Sequence, residues 1–299
     1  MGERLVGIDV GGTKMLGVAV DRDRPAAILD RSLVPTPSNA REVVATINDL
    51  ARSLGVERHL GLGLAGLVED GAVLRAAPNL MCMIDVSARD EVEKELGVEV
   101  RLDNDATCAL IAEMTLGVAT DAEDVVMVTM GTGIGGGVAV GGRIVRGAHG
   151  FAGEPGHMCV DPAGPLCVCG RRGCWERYAS GAGLVWLAAE RGLSGAADGG
   201  AMTGEHLATL ARSGDEDARL VWEDFADWLA LGLANIADIL DPELLVLGGG
   251  LVSSTDLFID RARSRFGAGV LGGRARRRTR IEAAGCGAAS GAIGAALLH

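Results

Sequence analysis

Long apolar runs, aromatic side chains and lysine are all scarce in this sequence. No uncharged stretch reaches the roughly 18 apolar residues that a membrane-spanning helix needs, and the first residues lack the apolar core of a signal peptide. Aromatic residues make up 3% of the 299 residues, and Lys14 and Lys94 are the only lysines among 28 basic side chains. The absence of a membrane-spanning stretch and of a signal-peptide core predicts a cytoplasmic protein with no membrane partner.

The charge balance argues against nucleic acid as a partner. The formal net charge of −12 repels a phosphate backbone. One segment is an exception, because it concentrates arginine: Arg261, Arg263, Arg265, Arg274, Arg276, Arg277, Arg278 and Arg280. Phe266 is the one aromatic residue among them that could stack on a base. We interpret this arginine run as a solvated surface paired with carboxylates; a funnel that attracts an anionic ligand is the alternative.

Short apolar runs alternate with helical patterns, which indicates an α/β fold with a largely parallel sheet. The predicted helices include Val43–Leu54, capped by Ser38 or Asn39, and Ala106–Met114. The predicted strands are Leu5–Asp9, Met15–Val20, His59–Ala65, Val98–Leu102, Asp124–Met130, Ile134–Val140 and Leu244–Leu247. A strand, a glycine-containing turn and a second strand occur at 5–20 and again at 124–140. We therefore expect two similar domains, divided near residues 116–123, that face each other across a cleft.

The turn in each of these units has the composition of an anion-binding loop. The first unit contains Asp9, Val10, Gly11, Gly12, Thr13 and Lys14, and the second contains Gly131, Thr132, Gly133, Ile134, Gly135, Gly136 and Gly137. Glycines let the backbone approach an anion and direct N–H groups toward it. Asp9 could hold a metal ion or its water, although an ordinary turn would explain the first segment equally well. Together the two turns predict binding of a polyphosphate.

Asn104, Asp105 and Ala106 follow a predicted strand and open a predicted helix. Asp105 could be only a helix N-cap. At the carboxyl end of a strand in an α/β protein it also stands where a catalytic base is expected. Asp103 is the competing carboxylate.

The spacing His157-x9-Cys167-x-Cys169-x4-Cys174 predicts a structural zinc site. Three thiolates and one imidazole form a closed tetrahedral set, and Cys159 is an alternative ligand with poorer spacing. The remaining cysteines are interpreted as small buried residues: Cys82, Cys108 and Cys286.

Two carboxylates lie next to this predicted metal site in the sequence. Glu154 is separated from His157 by Pro155 and Gly156, and Glu176 lies two residues beyond Cys174. A bound metal would immobilise both, and immobilised carboxylates accept hydrogen bonds from sugar hydroxyls.

Taken together, these motifs resemble the ROK family of bacterial sugar kinases, within the actin/hexokinase ATPase superfamily. The matching segments are DVGGTK at 9–14, NDA at 104–106, GTGIGGG at 131–137, GEPGHM at 153–158, CVCGRRGCWE at 167–176 and LGGGL at 247–251. They cover nearly the whole chain in the order expected for the family. The resemblance is greatest to the actinobacterial and Gram-positive glucokinases.

The resemblance implies two actin-like, ribonuclease-H-like ATPase domains facing across a cleft, with a small zinc-binding insertion. The implied domains are residues 1–117 together with a returning helix at 288–299, and residues 118–287. It also implies a homodimer or homotetramer that uses ATP and Mg²⁺ to phosphorylate a hexose. Asp105 would be the general base, and the sugar contacts would be Asn79, Asn104, Asp105, Glu154, His157 and Glu176. The nucleotide and Mg²⁺ contacts would be Asp9, Gly11, Gly12, Thr13, Lys14, Gly131, Thr132, Gly133, Gly249 and Gly250.

Three alternatives remain open. The acceptor could be an N-acylmannosamine, N-acetylglucosamine, fructose or allose rather than glucose, and polyphosphate could be the phosphoryl donor. A sugar-responsive regulator of the same family is disfavoured, because such proteins place a helix-turn-helix domain before the first glycine turn, and here Asp9 is only eight residues from the start.

Overall fold

The computed structural model describes residues 3–193, 195, 200–273 and 279–298. Within them the strands are β1 (Arg4–Val10), β2 (Lys14–Asp21), β3 (Arg24–Pro35), β4 (His59–Leu64), β5 (Leu67–Glu69), β6 (Val73–Ala76), β7 (Glu99–Asn104), β8 (Val125–Met130), β9 (Ile134–Val140), β10 (Arg143–Ile144), β11 (Leu244–Gly248) and β12 (Arg280–Ala283). The α-helices are α1 (Ala40–Ser53), α2 (Ala88–Leu96), α3 (Asp105–Leu116), α4 (Glu176–Ala179), α5 (Gly181–Glu190), α6 (Gly204–Arg212), α7 (Glu216–Leu240), α8 (Ile259–Gly269) and α9 (Ser290–Ala296). The 3₁₀ helices are Met81–Met83, Pro155–His157, Gly250–Leu257 and Gly287–Ala289.

Two five-stranded sheets have the same strand order. The first runs β3-β2-β1-β4-β7 and the second runs β10-β9-β8-β11-β12. In the first, β1 is antiparallel to β2 and parallel to β4; in the second, β8 is parallel to β11, which is parallel to β12. The repeated strand–turn–strand pattern of the sequence is therefore repeated in the topology. A separate two-stranded hairpin pairs β5 with β6.

The chain divides into two compact units, and each is built from several segments. Unit 1 contains Met1–Glu123, Gly137–Gly153 and Ala284–His299, and unit 2 contains Asp124–Gly136 and Glu154–Ala283. The domain boundaries expected from the sequence stay a prediction.

In unit 1 both faces of the first sheet are covered, which explains why β1 is continuously apolar from Leu5 to Ile8. Alternate residues of β1, such as Ile8, belong to a buried cluster with Ile47 of α1. Leu5 belongs to a second cluster with Ile293 of α9. The expected N-cap of α1 is confirmed at Asn39, whose side chain accepts the N–H of Glu42 at 3.0 Å.

Unit 2 contains most of the aromatic side chains. Trp222, Phe225 and Phe258 pack together around the 25-residue helix α7, whose N-cap is Asp215. The expected loop at 194–204 falls partly outside the described residues, and α6 begins at Gly204. In the part of the chain that the structure describes, no helix has the length and apolarity to cross a bilayer.

Several predicted element boundaries were wrong. The strand β7 continues through Asp103 and Asn104, so α3 begins at Asp105. The last helix, expected as one unit at 288–299, is a 3₁₀ turn followed by the short α9, Ser290–Ala296. The strand β3 was missed: as an edge strand with exposed positions on both faces it lacks a clear apolar alternation.

Candidate functional site

The turn between β1 and β2 is held in place by contacts from two other loops. Thr36, just after β3, donates its hydroxyl to the carbonyl of Gly11 at 2.7 Å and its N–H to the carbonyl of Thr13 at 3.1 Å. A Cβ atom on Gly12 would overlap the backbone carbonyl of Asn79. Only glycine therefore permits this approach, which brings together two segments that the sequence analysis assigned to the site.

Asp9 lies at the carboxyl end of β1 with its carboxylate in a poorly solvated position. Burial, followed by the neighbouring charge of Asp105, raises the pKa of Asp9 to about 7, and Lys14 opposes the shift. A carboxylate that is costly to ionise in isolation is stabilised in its ionised form when a cation binds beside it. The chemistry of this residue therefore fits a divalent cation.

Asp105 is the first residue of α3 and does not cap it. The N-cap is Asn104, whose Oδ1 accepts the N–H groups of Ala106 at 2.9 Å and Thr107 at 3.0 Å, while its Nδ2 donates to the carbonyl of Gly66 at 3.0 Å. The interpretation of Asp105 as only an N-cap is thus wrong. Burial raises the pKa of Asp105 to about 6, against a smaller lowering effect of the Ala106 N–H.

The competing carboxylate, Asp103, already has a charged partner. Arg146, beyond β10, donates from Nε at 2.8 Å and from a terminal nitrogen at 2.7 Å to Asp103 Oδ2. The other oxygen of Asp103 accepts the N–H of Asn104 at 2.9 Å. These contacts leave Asp105 better suited to proton transfer than Asp103.

In unit 2 the glycine turn Gly131–Gly133 joins β8 to β9 and contacts the start of α5. Gly181 donates its N–H to the carbonyl of Gly131 at 2.8 Å, and Ala182 donates to the carbonyl of Thr132 at 3.3 Å. These bonds fix the carbonyl side of the turn, and Gly131 donates its own N–H to the carbonyl of Gly133 at 3.0 Å. A loop rich in glycine and fixed in this way suits close approach of an anion.

The loop after β11 lies against the same edge of the second sheet. Gly249 adopts a φ of +83°, and a Cβ there would lie 2.5 Å from the carbonyl oxygen of Met130. Gly248 pairs with Thr129 across parallel strands, so β8 and β11 end at the same edge of the sheet. The loop after β11 and the Gly131–Gly133 turn after β8 therefore begin side by side. The two glycine segments predicted to contact a nucleotide in unit 2 are thus neighbours.

The predicted zinc ligands converge. One ligand atom from each of His157, Cys167, Cys169 and Cys174 lies within 4.8 Å of all the others. The Sγ atoms of Cys169 and Cys174 are 3.5 Å apart, and Cys167 Sγ is 3.7 Å from His157 Nδ1. This donor set could hold a tetrahedral zinc ion.

The other four cysteines lie outside this group. Cys159 is exposed, and its thiol donates to the carbonyl of Arg172. Cys108 is fully buried as predicted, whereas Cys82 and Cys286 are only half-buried.

The segment carrying the cysteines is anchored by aromatic residues on α7. Trp175, which follows Cys174, is fully buried and donates its indole N–H to the carbonyl of Trp228 at 2.8 Å. Tyr178 stacks on the Trp228 ring at 4.1 Å and donates its hydroxyl to Asp161 at 2.9 Å. The segment that carries the candidate metal ligands is therefore continuous with the hydrophobic core of unit 2.

Glu176 connects the cysteine cluster to the glycine turn. Its Oε1 lies 2.9 Å from Cys167 Sγ and 3.6 Å from His157 Nδ1. Its Oε2 accepts the N–H of Ile134 at 3.4 Å. Glu154 immediately precedes the 3₁₀ helix that presents His157. The Glu176 carboxylate thus lies beside the candidate metal ligands, whereas Glu154 adjoins them in the chain, and its role stays a prediction.

The arginine run is paired where it is described. Arg261 binds Asp227 and Glu223, Arg265 binds Asp227, and Arg280 binds Glu282. Arg263 donates to the carbonyl of Ile281 at 2.6 Å. The remaining four arginines lie outside the described residues: Arg274, Arg276, Arg277 and Arg278.

Sequence reasoning missed Thr36, Arg146 and the start of α5 as parts of the site. Each acts through a contact with a residue distant in the chain, and none belongs to a local motif. Ser180 is the N-cap of α5 and marks a helix start, but nothing in the sequence shows which loop that helix contacts.

Comparison with known proteins places these features in a family. The sequence model of the ROK family matches residues 5–299. The chain is 34% identical to a glucokinase of Streptomyces coelicolor, covering 97% of this chain and 96% of the relative. It is 35% identical to an N-acetyl-D-glucosamine kinase of Pectobacterium carotovorum, covering 98% of each.

A solved structure agrees over the same length. The crystal structure of a ROK family glucokinase from Streptomyces griseus with glucose and AMPPNP superposes with a TM-score of 0.88 at 36% identity, covering 99% of both chains. The two sheets and the site residues thus define a mixed α/β sugar-kinase fold. The chain belongs to the ROK family, and the resemblance identified from the sequence is confirmed.

Proposed function

We propose that the protein transfers the γ-phosphoryl group of ATP to the 6-hydroxyl of glucose, with Asp105 as the general base. The observation that carries this proposal is the environment of Asp105: a half-buried carboxylate at the carboxyl end of a parallel strand, where desolvation raises its pKa to about 6. A base titrating near the working pH accepts a hydroxyl proton efficiently. The glucokinase relatives supply the substrate class.

The phosphate-binding roles fall to the glycine turns. Phosphoryl transfer requires in-line positioning and neutralisation of charge. In unit 1, Gly11, Gly12, Thr13 and Lys14 would contact the phosphates, and Asp9 would hold Mg²⁺ directly or through water. Mg²⁺, when bound, neutralises phosphate charge.

In unit 2 the remaining nucleotide contacts are assigned to five residues. Gly131, Thr132 and Gly133 would also contact phosphates, and Gly249 and Gly250 would lie by the adenosine. The adjacency of these two glycine segments supports their joint assignment to one nucleotide.

The proposed sugar contacts are taken residue by residue from the family resemblance, within each unit by itself. Asn79 and Asn104 belong to unit 1, and Glu154, His157 and Glu176 belong to unit 2. A zinc ion on the His/Cys cluster would be structural, and it would hold Glu154, His157 and Glu176 in place. His157 Nδ1 is the nitrogen nearest Cys167 Sγ, so we assign it to the metal and Nε2 to the sugar.

A second candidate is phosphorylation of N-acetylglucosamine. It is favoured by one observation, the 35% identity to an N-acetyl-D-glucosamine kinase, which is close to the 34% identity to a Streptomyces coelicolor glucokinase. The two acceptors differ by an acetamido group at C2, so specificity depends on a few contacts that overall identity does not report.

The test is a coupled assay of ADP release over a panel of hexoses, with wild-type protein and the variant Asp105→Asn. We expect ATP-dependent turnover of glucose, and a loss in kcat of at least about 100-fold in the variant, because it keeps the shape and removes the proton acceptor. Asp103→Asn is the matched control, because it removes the same negative charge from a neighbouring aspartate that is not the proposed base.

Each outcome decides between the candidates. Faster turnover of N-acetylglucosamine than of glucose would favour the second candidate. Near-normal turnover in Asp105→Asn would transfer the base role to Asp103. Absence of turnover with every sugar would contradict both.

A further inference from the structure

One buried carboxylate has no part in the chemistry proposed above. Glu113, in the last part of α3, is completely inaccessible to solvent. Its Oε1 accepts the N–H of Cys286 at 2.8 Å, and its Oε2 accepts those of Val118 and Gly285, each at 3.0 Å. An ionised carboxylate is costly to bury unless such charge-assisted hydrogen bonds satisfy it. Because the buried carboxylate needs all three hydrogen bonds, it holds the three amide groups in fixed positions around it.

The amides belong to two separate segments of unit 1. Val118 follows the end of α3, whereas Gly285 and Cys286 begin the segment that leads into α9. Glu113 therefore holds the end of one helix and the approach to another at a single point. No neutral side chain of similar size offers two oxygens to three donors.

Both helices reach the proposed active-site carboxylates. α3 begins with Asp105, and α9 carries Gly291, where a Cβ would lie 2.8 Å from Asp9 Oδ2. Farther along, a Cβ on Gly294 would overlap the carbonyl of Cys108 in α3. α9 thus packs against α3 on one side and against Asp9 at its first turn.

The surrounding sequence leaves room for the carboxylate. A Cβ on Gly117 would overlap Glu113 Oε2, and Gly117 N–H also donates to the Glu113 carbonyl at 3.0 Å. Alanine at this position would displace the carboxylate without removing its charge.

We propose that Glu113 is a positioning residue for phosphoryl transfer: by fixing α9 against α3 it sets the position of Asp9 relative to Asp105. The inference rests on the proposed function, in which these two carboxylates serve Mg²⁺ and the sugar hydroxyl. A displacement of about 1 Å between reacting groups can lower the rate about 100-fold. Glu113 would therefore act on turnover without touching substrate.

The test compares Glu113→Gln, Gly117→Ala and a control, Cys286→Ala, in the full-length chain. In Glu113→Gln the amide group directs an NH₂ donor at a backbone donor, and in Gly117→Ala the carboxylate is pushed aside. Cys286→Ala alters the same position but leaves the amide–carboxylate bond intact. Turnover is measured well below the Tm of each variant, and sugar affinity is measured without nucleotide.

We expect kcat to fall about 10- to 100-fold in the first two variants, with the sugar Kd changed much less than kcat, because Glu154, His157 and Glu176 are not among the residues that Glu113 holds. Cys286→Ala should keep the wild-type kcat. A lower Tm with normal kcat in Glu113→Gln and Gly117→Ala would assign Glu113 to stability alone and overturn the proposal, as would failure of both to fold. Absence of wild-type turnover would instead contradict the proposed function.

Discussion

At the scale of single residues, the pKa values of the two aspartates predict how activity depends on pH. The base must be ionised, so kcat/KM should fall about tenfold for each pH unit below about 6, the pKa to which burial raises Asp105. Saturating Mg²⁺ keeps Asp9, whose pKa lies near 7 without metal, ionised during the measurement. A pH–rate profile between pH 4.5 and 8, with stability checked at each pH, measures this. A flat profile across this range would contradict it.

The same raised pKa predicts an effect on stability. Because burial raises the pKa of Asp105 above its ordinary value of 3.8, the folded state carries the cost of an ionised group at neutral pH. Asp105→Asn should therefore raise the Tm by about 2–4 °C at pH 7, as about 1 kcal/mol does in a chain of this size. The gain should shrink as pH falls from 6 toward 4, because the wild-type carboxyl is then neutral in the folded state. Calorimetry without ligands checks this, and a Tm below wild type at pH 7 would contradict it.

At the scale of elements, the metal-binding segment should be a structural unit. Cys167→Ser should lower both the zinc content, from about one ion per chain, and the Tm, and should raise the KM for sugar, since Glu176 and His157 lose their support. Cys159→Ser is the matched control, because that exposed thiol lies outside the cluster. Metal analysis, calorimetry and sugar kinetics measure the three effects. Fully active protein without zinc would contradict the prediction.

The β1–β2 turn should tolerate no side chain at its second glycine. In Gly12→Ala the new Cβ overlaps the carbonyl of Asn79, so one of the two loops must move. We expect a fall in kcat/KM of at least about tenfold, which corresponds to about 1.4 kcal/mol of transition-state stabilisation. Gly267→Ala, in α8 with open space around it, should leave the kinetics unchanged. Equal activity in the two variants would show that the close approach of Gly12 to the Asn79 carbonyl is not required for catalysis.

At the scale of the whole molecule, the net charge of −12 repels an anionic ligand such as ATP, whereas the arginine run attracts one. Steering of an anion by distant charges changes association rates and weakens with salt. The described arginines of the run already have carboxylate or carbonyl partners. Replacing Arg276, Arg277 and Arg278 with glutamine should therefore leave kcat and the KM for ATP nearly unchanged at low and high salt, and polyphosphate should not replace ATP. A donor KM that rises only at low salt would indicate an anion funnel.

Local sequence was enough to predict the elements whose signal is short-range. The two glycine turns were predicted because strand patterns flank them on both sides. The zinc ligands were predicted because three of them lie within eight residues and the geometry of a tetrahedral site restricts their spacing. The edge strand β3 was missed because its exposed residues carry no apolar alternation.

The sequence by itself determined the kinds of groups in this protein: the glycines, the carboxylates and the sulfur ligands, together with the α/β class. Only the tertiary structure decided among them. The sequence favoured Asp105 over Asp103 by position and by family resemblance, but the physical distinction comes from Arg146, a residue 43 positions beyond Asp103 that pairs with it. The role of Glu113 depends on amides 172 and 173 positions away. Local patterns report which conformation a segment prefers, whereas the partner of a buried charge is chosen by packing between segments distant in the chain.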